Sequence, residues 1–104
     1  ELDNRRSAPR LNRQFAIRYQ AGGEAEAESV ALNISATGAR ILLHGATAWP
    51  ALTLDLGEDV RLQAHTVWEH PLEGGHGRIV GVHFSPLAAE QQDALLRLLG
   101  RLAA

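Results

Sequence analysis

Between Gln14 and Phe84 the chain is written in twos. Phe15, Ile17 and Tyr19 alternate with Ala16 and Arg18, and Leu52, Leu54 and Leu56 alternate with Thr53 and Asp55. Val60-Arg61-Leu62-Gln63-Ala64-His65 repeats the pattern to about Trp68, and Val80, Val82 and Phe84 share one side of a last run from Arg78. Successive side chains of a strand point to opposite faces, so a period of two describes half-buried strands rather than helices. Turn-forming residues separate the runs: Ala21-Gly22-Gly23, Gly38 ahead of Ala39–Leu43, Gly57-Glu58, and Pro71 with Gly74-Gly75. With a run from about Glu26 to Ile34 there are six short strands, which indicates an antiparallel barrel or sandwich. In that second run Val30, Leu32 and Ile34 are expected on the core face, and Asn33 and Ser35 together on the other.

The period changes after Phe84. Ser85 reads as an N-cap and Pro86 as the first helical residue. Leu87, Leu95, Leu98 and Leu102 then form an apolar stripe, widened by Ala94 and Leu99. Residues 1–13 carry neither period and contain Pro9, so they read as a flexible arm. The expected division is an arm over 1–13, strands over 14–85 and an amphipathic helix over 86–102. All of it belongs to one domain, since 104 residues can bury about 65% of the unfolded surface around a single core.

Composition removes several classes of function. There is no cysteine, which excludes disulfides and thiolate metal sites. No apolar stretch approaches the roughly 20 residues of a membrane helix, so no membrane insertion is expected. A net charge of −2 argues against bulk binding to a nucleic-acid polymer. The distribution of charge is more telling. All ten basic residues are arginine, and Arg5, Arg6, Arg10, Arg13 and Arg18 crowd the first eighteen positions. Arginine brings a rigid two-pronged fork and a stacking face that lysine lacks.

Two motifs stand out. Arg6-Ser7-Ala8-Pro9-Arg10 reads R-x-x-x-R behind Arg5; Pro9 disfavours the α region at Ala8, so Arg6 and Arg10 converge through a turn or around a ligand rather than along a helix. Asn33-Ile34-Ser35-Ala36-Thr37-Gly38 reads N-x-S-x-x-G and sets an amide, a hydroxyl and a permissive glycine at a strand end. The pair points to an anionic, guanine-bearing ligand. The competing readings are a solvated basic terminus and an ordinary turn, in which Asn, Ser and Gly are favoured anyway. No catalytic residue and no metal ligand is assigned. His44, His65, His70, His76 and His83 lack metal-ligand spacing, parity turns His65 and His83 outward, and neither a phosphate loop nor a nucleophile elbow is present. Trp49 and Trp68 read as core or rim packing, and Gly81 as relief of a crowded bend.

Taken in order with Gly81-Val82-His83-Phe84, these motifs resemble the PilZ domain, a family of bacterial cyclic di-GMP receptors, over about residues 5–100. The resemblance implies a six-stranded antiparallel β-barrel with a C-terminal helix and a ligand at the rim. Arg6 and Arg10 would meet phosphate and the Hoogsteen edge of guanine, Asn33 and Ser35 the polar edges of a guanine, and Gly38 would allow close backbone approach. Arg5, just ahead of the motif, implies two cyclic di-GMP molecules per domain. Asn33 stands where many relatives carry aspartate, which implies weaker binding, since asparagine has a single acceptor oxygen and no charge. The implied protein is non-enzymatic, has no cofactor besides its ligand, and is cytoplasmic, free-standing or part of a larger protein. Its arm would order on binding and signal to a partner or neighbouring domain. The alternative is a PilZ-fold interaction module for pili or flagella without nucleotide binding.

Overall fold

The computed structural model describes residues 11, 13–22, 24–44, 50–57, 60–74 and 77–103. Six antiparallel strands run in the order β1 (Phe15–Ala21), β2 (Ala27–Ile34), β3 (Gly38–His44), β4 (Ala51–Asp55), β5 (Arg61–Pro71) and β6 (Gly77–Phe84), followed by the helix α1 (Ala89–Ala103). Their order around the sheet is β1-β2-β3-β6-β5-β4, and β4 pairs back to β1, so the sheet closes into a barrel. Closure decides between the two architectures that the alternation allowed. Every inward position then faces a common core, which explains why the leucines of β4 and β5 are buried in register: Leu52 lies beside Ala64 and Leu54 beside Leu62. Among the described residues no helix is long and apolar enough to cross a membrane.

The interior is filled with side chains. Ile34, Ile41, Leu54 and Val80 are fully buried, joined by Ile17, Tyr19, Leu43, Leu62 and Val82. Helix α1 adds Leu95 and Leu98 to the core, with Leu99 and Leu102 packed alongside. Tyr19 reconciles burial with polarity: its hydroxyl accepts the backbone N–H of His44 at 3.0 Å.

Two expectations need correction. Val30 and Leu32 do not share the core face with Ile34. The β2–β3 register shifts between Ala31 and Asn33, so Ala31 pairs with Ile41 while Asn33 pairs with Arg40 and Ile34 with Ala39. Leu32 is the extra residue of a β-bulge, and a bulge reverses the parity of everything beyond it. The inward residues are therefore Ala31 before the bulge and Ile34 after it, while Val30 pairs with outward-facing Ala16.

The helix, moreover, starts at Ala89 rather than Pro86. Ser85 lies too far ahead of Ala89 to be the cap, and its N–H is bonded to Gln63 O at 2.8 Å. Gln91 takes that role: its side-chain oxygen accepts the Ala88 N–H at 2.9 Å, one half of a capping box, and its amide donates to Arg61 O at 3.0 Å. Gly100 does not end the helix, which runs on to Ala103.

Candidate functional site

The corner where β2 turns into β3 carries Asn33, Ser35 and Gly38. Asn33 and Ser35 are the buried polar side chains among the described residues, 5% and 2% exposed. Ser35 holds the turn together: its Oγ accepts the N–H groups of Thr37 at 3.2 Å and Gly38 at 3.3 Å, while its own N–H donates to Gly38 O at 2.8 Å. This is the local side-chain-to-backbone bonding that suits serine to turns. Gly38 answers to its neighbour strand. A Cβ there would be driven into the carbonyl oxygen of Val82, so β3 and β6 approach this closely only through glycine.

Asn33 faces outward because of the bulge at Leu32. Had the alternation run on from Ala31, its amide would have entered the core. A second bulge does the same for Trp68. On β5, Leu62, Ala64 and Thr66 point inward or partly so, but the register with β6 shifts between Thr66 and Trp68, leaving Val67 as the extra residue. Trp68 is thereby paired with Gly81 and turned outside, where it lies on that glycine; a Cβ on Gly81 would collide with the indole ring. It is 42% exposed, a rim residue rather than a core one. Trp49 lies outside the described residues.

These registers align one outward row across four strands: Asn33 on β2, Arg40 on β3, Gly81 on β6 and Trp68 on β5. At about 4.8 Å between strands the row spans roughly 14 Å. The Arg40 guanidinium sits 5.4 Å from the Trp68 ring centroid, a cation–π contact. On one side of the pair lies a cavity of about 140 Å³ that includes Val67 and His83; on the other, one of about 420 Å³ includes Leu32, His70 and Ile79. The guanidinium and the half-exposed indole can stack on a planar base and meet an anion, with the buried Asn33 amide at the end of the row. They contain no nucleophile paired with a base.

A larger cavity of about 760 Å³ beside β1, β2 and β4 is lined by Arg18, Glu28, Asp55 and Arg61. Its cations already face carboxylates. Arg61 meets Glu26 at 3.1 Å and Asp55 at 3.8 Å, and Arg18 meets Glu28 at 3.6 Å. Size alone does not make it the better anion site.

Arg5, Arg6 and Arg10 lie outside the described residues. The residue after Arg10 does not. Leu11 forms a two-way antiparallel bridge with Ile34, donating to its oxygen at 2.8 Å and accepting its N–H at 3.1 Å. Arg13 then donates to Leu102 O at 2.7 Å, satisfying a carbonyl at the C-terminal end of α1. The root of the arm is thus tied between Asn33 and Ser35. The sequence assigns no role to Arg40 and reads Trp68 only as core or rim packing. Arg40 could have been found by folding β3 back on Asn33; Trp68 could not, because a bulge leaves no trace in the alternation.

The architecture defines a small closed barrel that carries its polar chemistry on an outer corner, its lumen being packed. The chain belongs to the PilZ domain family, whose model matches residues 4–101. It is similar to the inhibitor of motility MotI/DgrA of Bacillus subtilis (24% identity, 93% of this chain and 50% of that one, TM-score 0.69). It is similar also to the PilZ domain with c-di-GMP of YcgR from Escherichia coli (12%, 95% and 92%, TM-score 0.66) and to the K. pneumonia MrkH–c-di-GMP complex (12%, 94% and 51%, TM-score 0.70). The chain spans about half of MotI and MrkH. No curated protein sequence matches it.

Proposed function

We propose that this domain is a non-enzymatic receptor for cyclic di-GMP, in which Arg5, Arg6 and Arg10 grip the nucleotide against the corner formed by Asn33, Ser35 and Gly38. The observation that carries the reading is the Leu11–Ile34 bridge. It roots the arm beside Asn33 and Ser35, one peptide unit from Arg10. An arginine fork matches guanine O6 and N7, and each good pair contributes about 1–3 kcal/mol of discrimination. Arg40 and Trp68 extend the surface with a cation and a stacking plane. Ser35 acts by shaping the turn, and Gly38 by letting β3 approach β6.

Arg5 supplies the third guanidinium that a second nucleotide would need, so two ligands per domain are expected. Output passes to a protein partner or neighbouring domain in the bacterial cytoplasm. The second reading, a motility interaction module without nucleotide, draws support from the likeness to MotI and from the exposed apolar side chains Val67, Trp68 and Leu72.

Thermal unfolding with and without cyclic di-GMP separates the two. Ligand at 100 times its Kd adds about 2.7 kcal/mol of stability. The receptor reading expects that shift in the wild type, its loss in Arg6→Ala and Arg10→Ala, and calorimetry giving two ligands per chain that falls to one in Arg5→Ala. No shift in the wild type at millimolar ligand would leave the interaction module.

A further inference from the structure

The β5–β6 register sets His65 directly opposite His83. Both face outward and are exposed, with ring centroids 6.0 Å apart and planes tilted by 57°. Among the described residues neither ring is hydrogen-bonded or ion-paired. Their neighbours in the same cross-strand row are small: Gly38 stands beside His83 on β3, and Ala51 beside His65 on β4. Gly38 has to stay glycine because of the Val82 carbonyl, so packing keeps that flank of His83 clear.

The geometry points to a two-imidazole site for one divalent transition-metal ion of the zinc, nickel and copper class, with His65 and His83 as its protein ligands and the remaining positions open to water or an anion. Imidazole nitrogen suits these ions. Two rings bound to one ion at about 2.0–2.1 Å, at a right angle for nickel or copper and a tetrahedral one for zinc, bring their centroids to roughly 4.5–5 Å. The pair must therefore close by about 1–1.5 Å, which side-chain rotation supplies while the ladder holds the Cβ atoms about 4.5–5.5 Å apart. The pairing strands persist whether or not an ion is present, so the two ligands are delivered together. Spacing in the sequence hid the pair, because only the register unites it. His83 also lines the cavity shared with Arg40 and Trp68, so the ion would add positive charge beside that row. The site stands independently of nucleotide binding.

Calorimetric titration of the full chain with Ni²⁺ alone, without nucleotide, tests it. One ion per chain is expected. His65→Gln and His83→Gln should each weaken binding by at least about tenfold, the loss of a second ligand held at high effective concentration. The double variant should bind more weakly than either single one, and the pair should take up one ion where two independent imidazoles would take up two. His44→Gln and His70→Gln should bind like the wild type, and unfolding without metal should be the same in all variants because the side chains are exposed. A His65 or His83 variant with wild-type affinity, two ions taken up at this pair, or a wild type that takes up no Ni²⁺ at millimolar concentration would overturn the assignment.

Discussion

Gly38→Ala and Gly81→Ala make the same chemical change on one ladder, yet the structure expects unlike results. At Gly38 the new methyl group meets the backbone oxygen of Val82, in the ladder that pairs Gly38 with His83. That atom can move only by loosening the β3–β6 pairing. Overpacking of this kind costs about 1–3 kcal/mol. Reduced freedom of the unfolded chain returns about 0.4–1 kcal/mol. The net loss is centred on about 1.3 kcal/mol, or about 5–10 °C in Tm at the usual slope for a domain of this size. At Gly81 the methyl group meets the Trp68 ring, which is 42% exposed and can swing away. The stack with Arg40 is then lost, a cost of about 0.5–1 kcal/mol that the same unfolded-state gain offsets, so Tm should stay within about 4 °C. Far-UV circular dichroism melts of the ligand-free variants measure both. Equal shifts, or the larger drop in Gly81→Ala, would refute the assignment of backbone as the rigid partner and indole as the yielding one.

Tyr19→Phe removes the acceptor of the His44 N–H and should cost about 1–2 kcal/mol in urea unfolding; an unchanged midpoint would contradict this. Gln91→Ala deletes both the helix cap and the bond to Arg61 O. Destabilisation of about 0.5–1 kcal/mol is expected, with faster amide exchange in the first turn of α1, whereas unaltered exchange there would count against the capping role. Asn33→Asp places a carboxylate opposite Arg40 and restores charge-assisted acceptance from guanine. Binding of cyclic di-GMP should tighten by about 1 kcal/mol, roughly fivefold in Kd by calorimetry, and no gain would sink the proposed Asn33 contact.

The strand runs were legible because burial on one face imposes alternation, as in Ile17 and Tyr19 or Leu52 and Leu54. Closure of the sheet was not written in any single run; it depends on β1 meeting β4. The two bulges were invisible, since one inserted residue changes parity without altering composition. For that reason alternation alone puts Val30 and Leu32 in the core and gives no sign that Trp68 pairs with Gly81 on the outer face. Ser85 and Pro86 satisfy the rules for a cap, yet the chain there is held by a hydrogen bond to Gln63, which is distant in sequence, and the helix starts only at Ala89. The spacing of Asn33, Ser35 and Gly38 marks a turn at a strand end, and the structure has that turn. What Ser35 and Gly38 do locally, stapling a turn and admitting a neighbouring carbonyl, depends on contacts that spacing does not encode.

The pinned Leu11 gives the proposed receptor a tether of known origin. Arg6 is five residues upstream of it, hence never more than about 18 Å away along a stretched backbone. A group confined that way is present at a local concentration of order millimolar without any cost of encounter. Proteolytic cleavage between Arg10 and Leu11 would therefore disarm the barrel more completely than any single substitution in it, and a synthetic peptide of the severed residues would have to be added at about millimolar levels to restore capture.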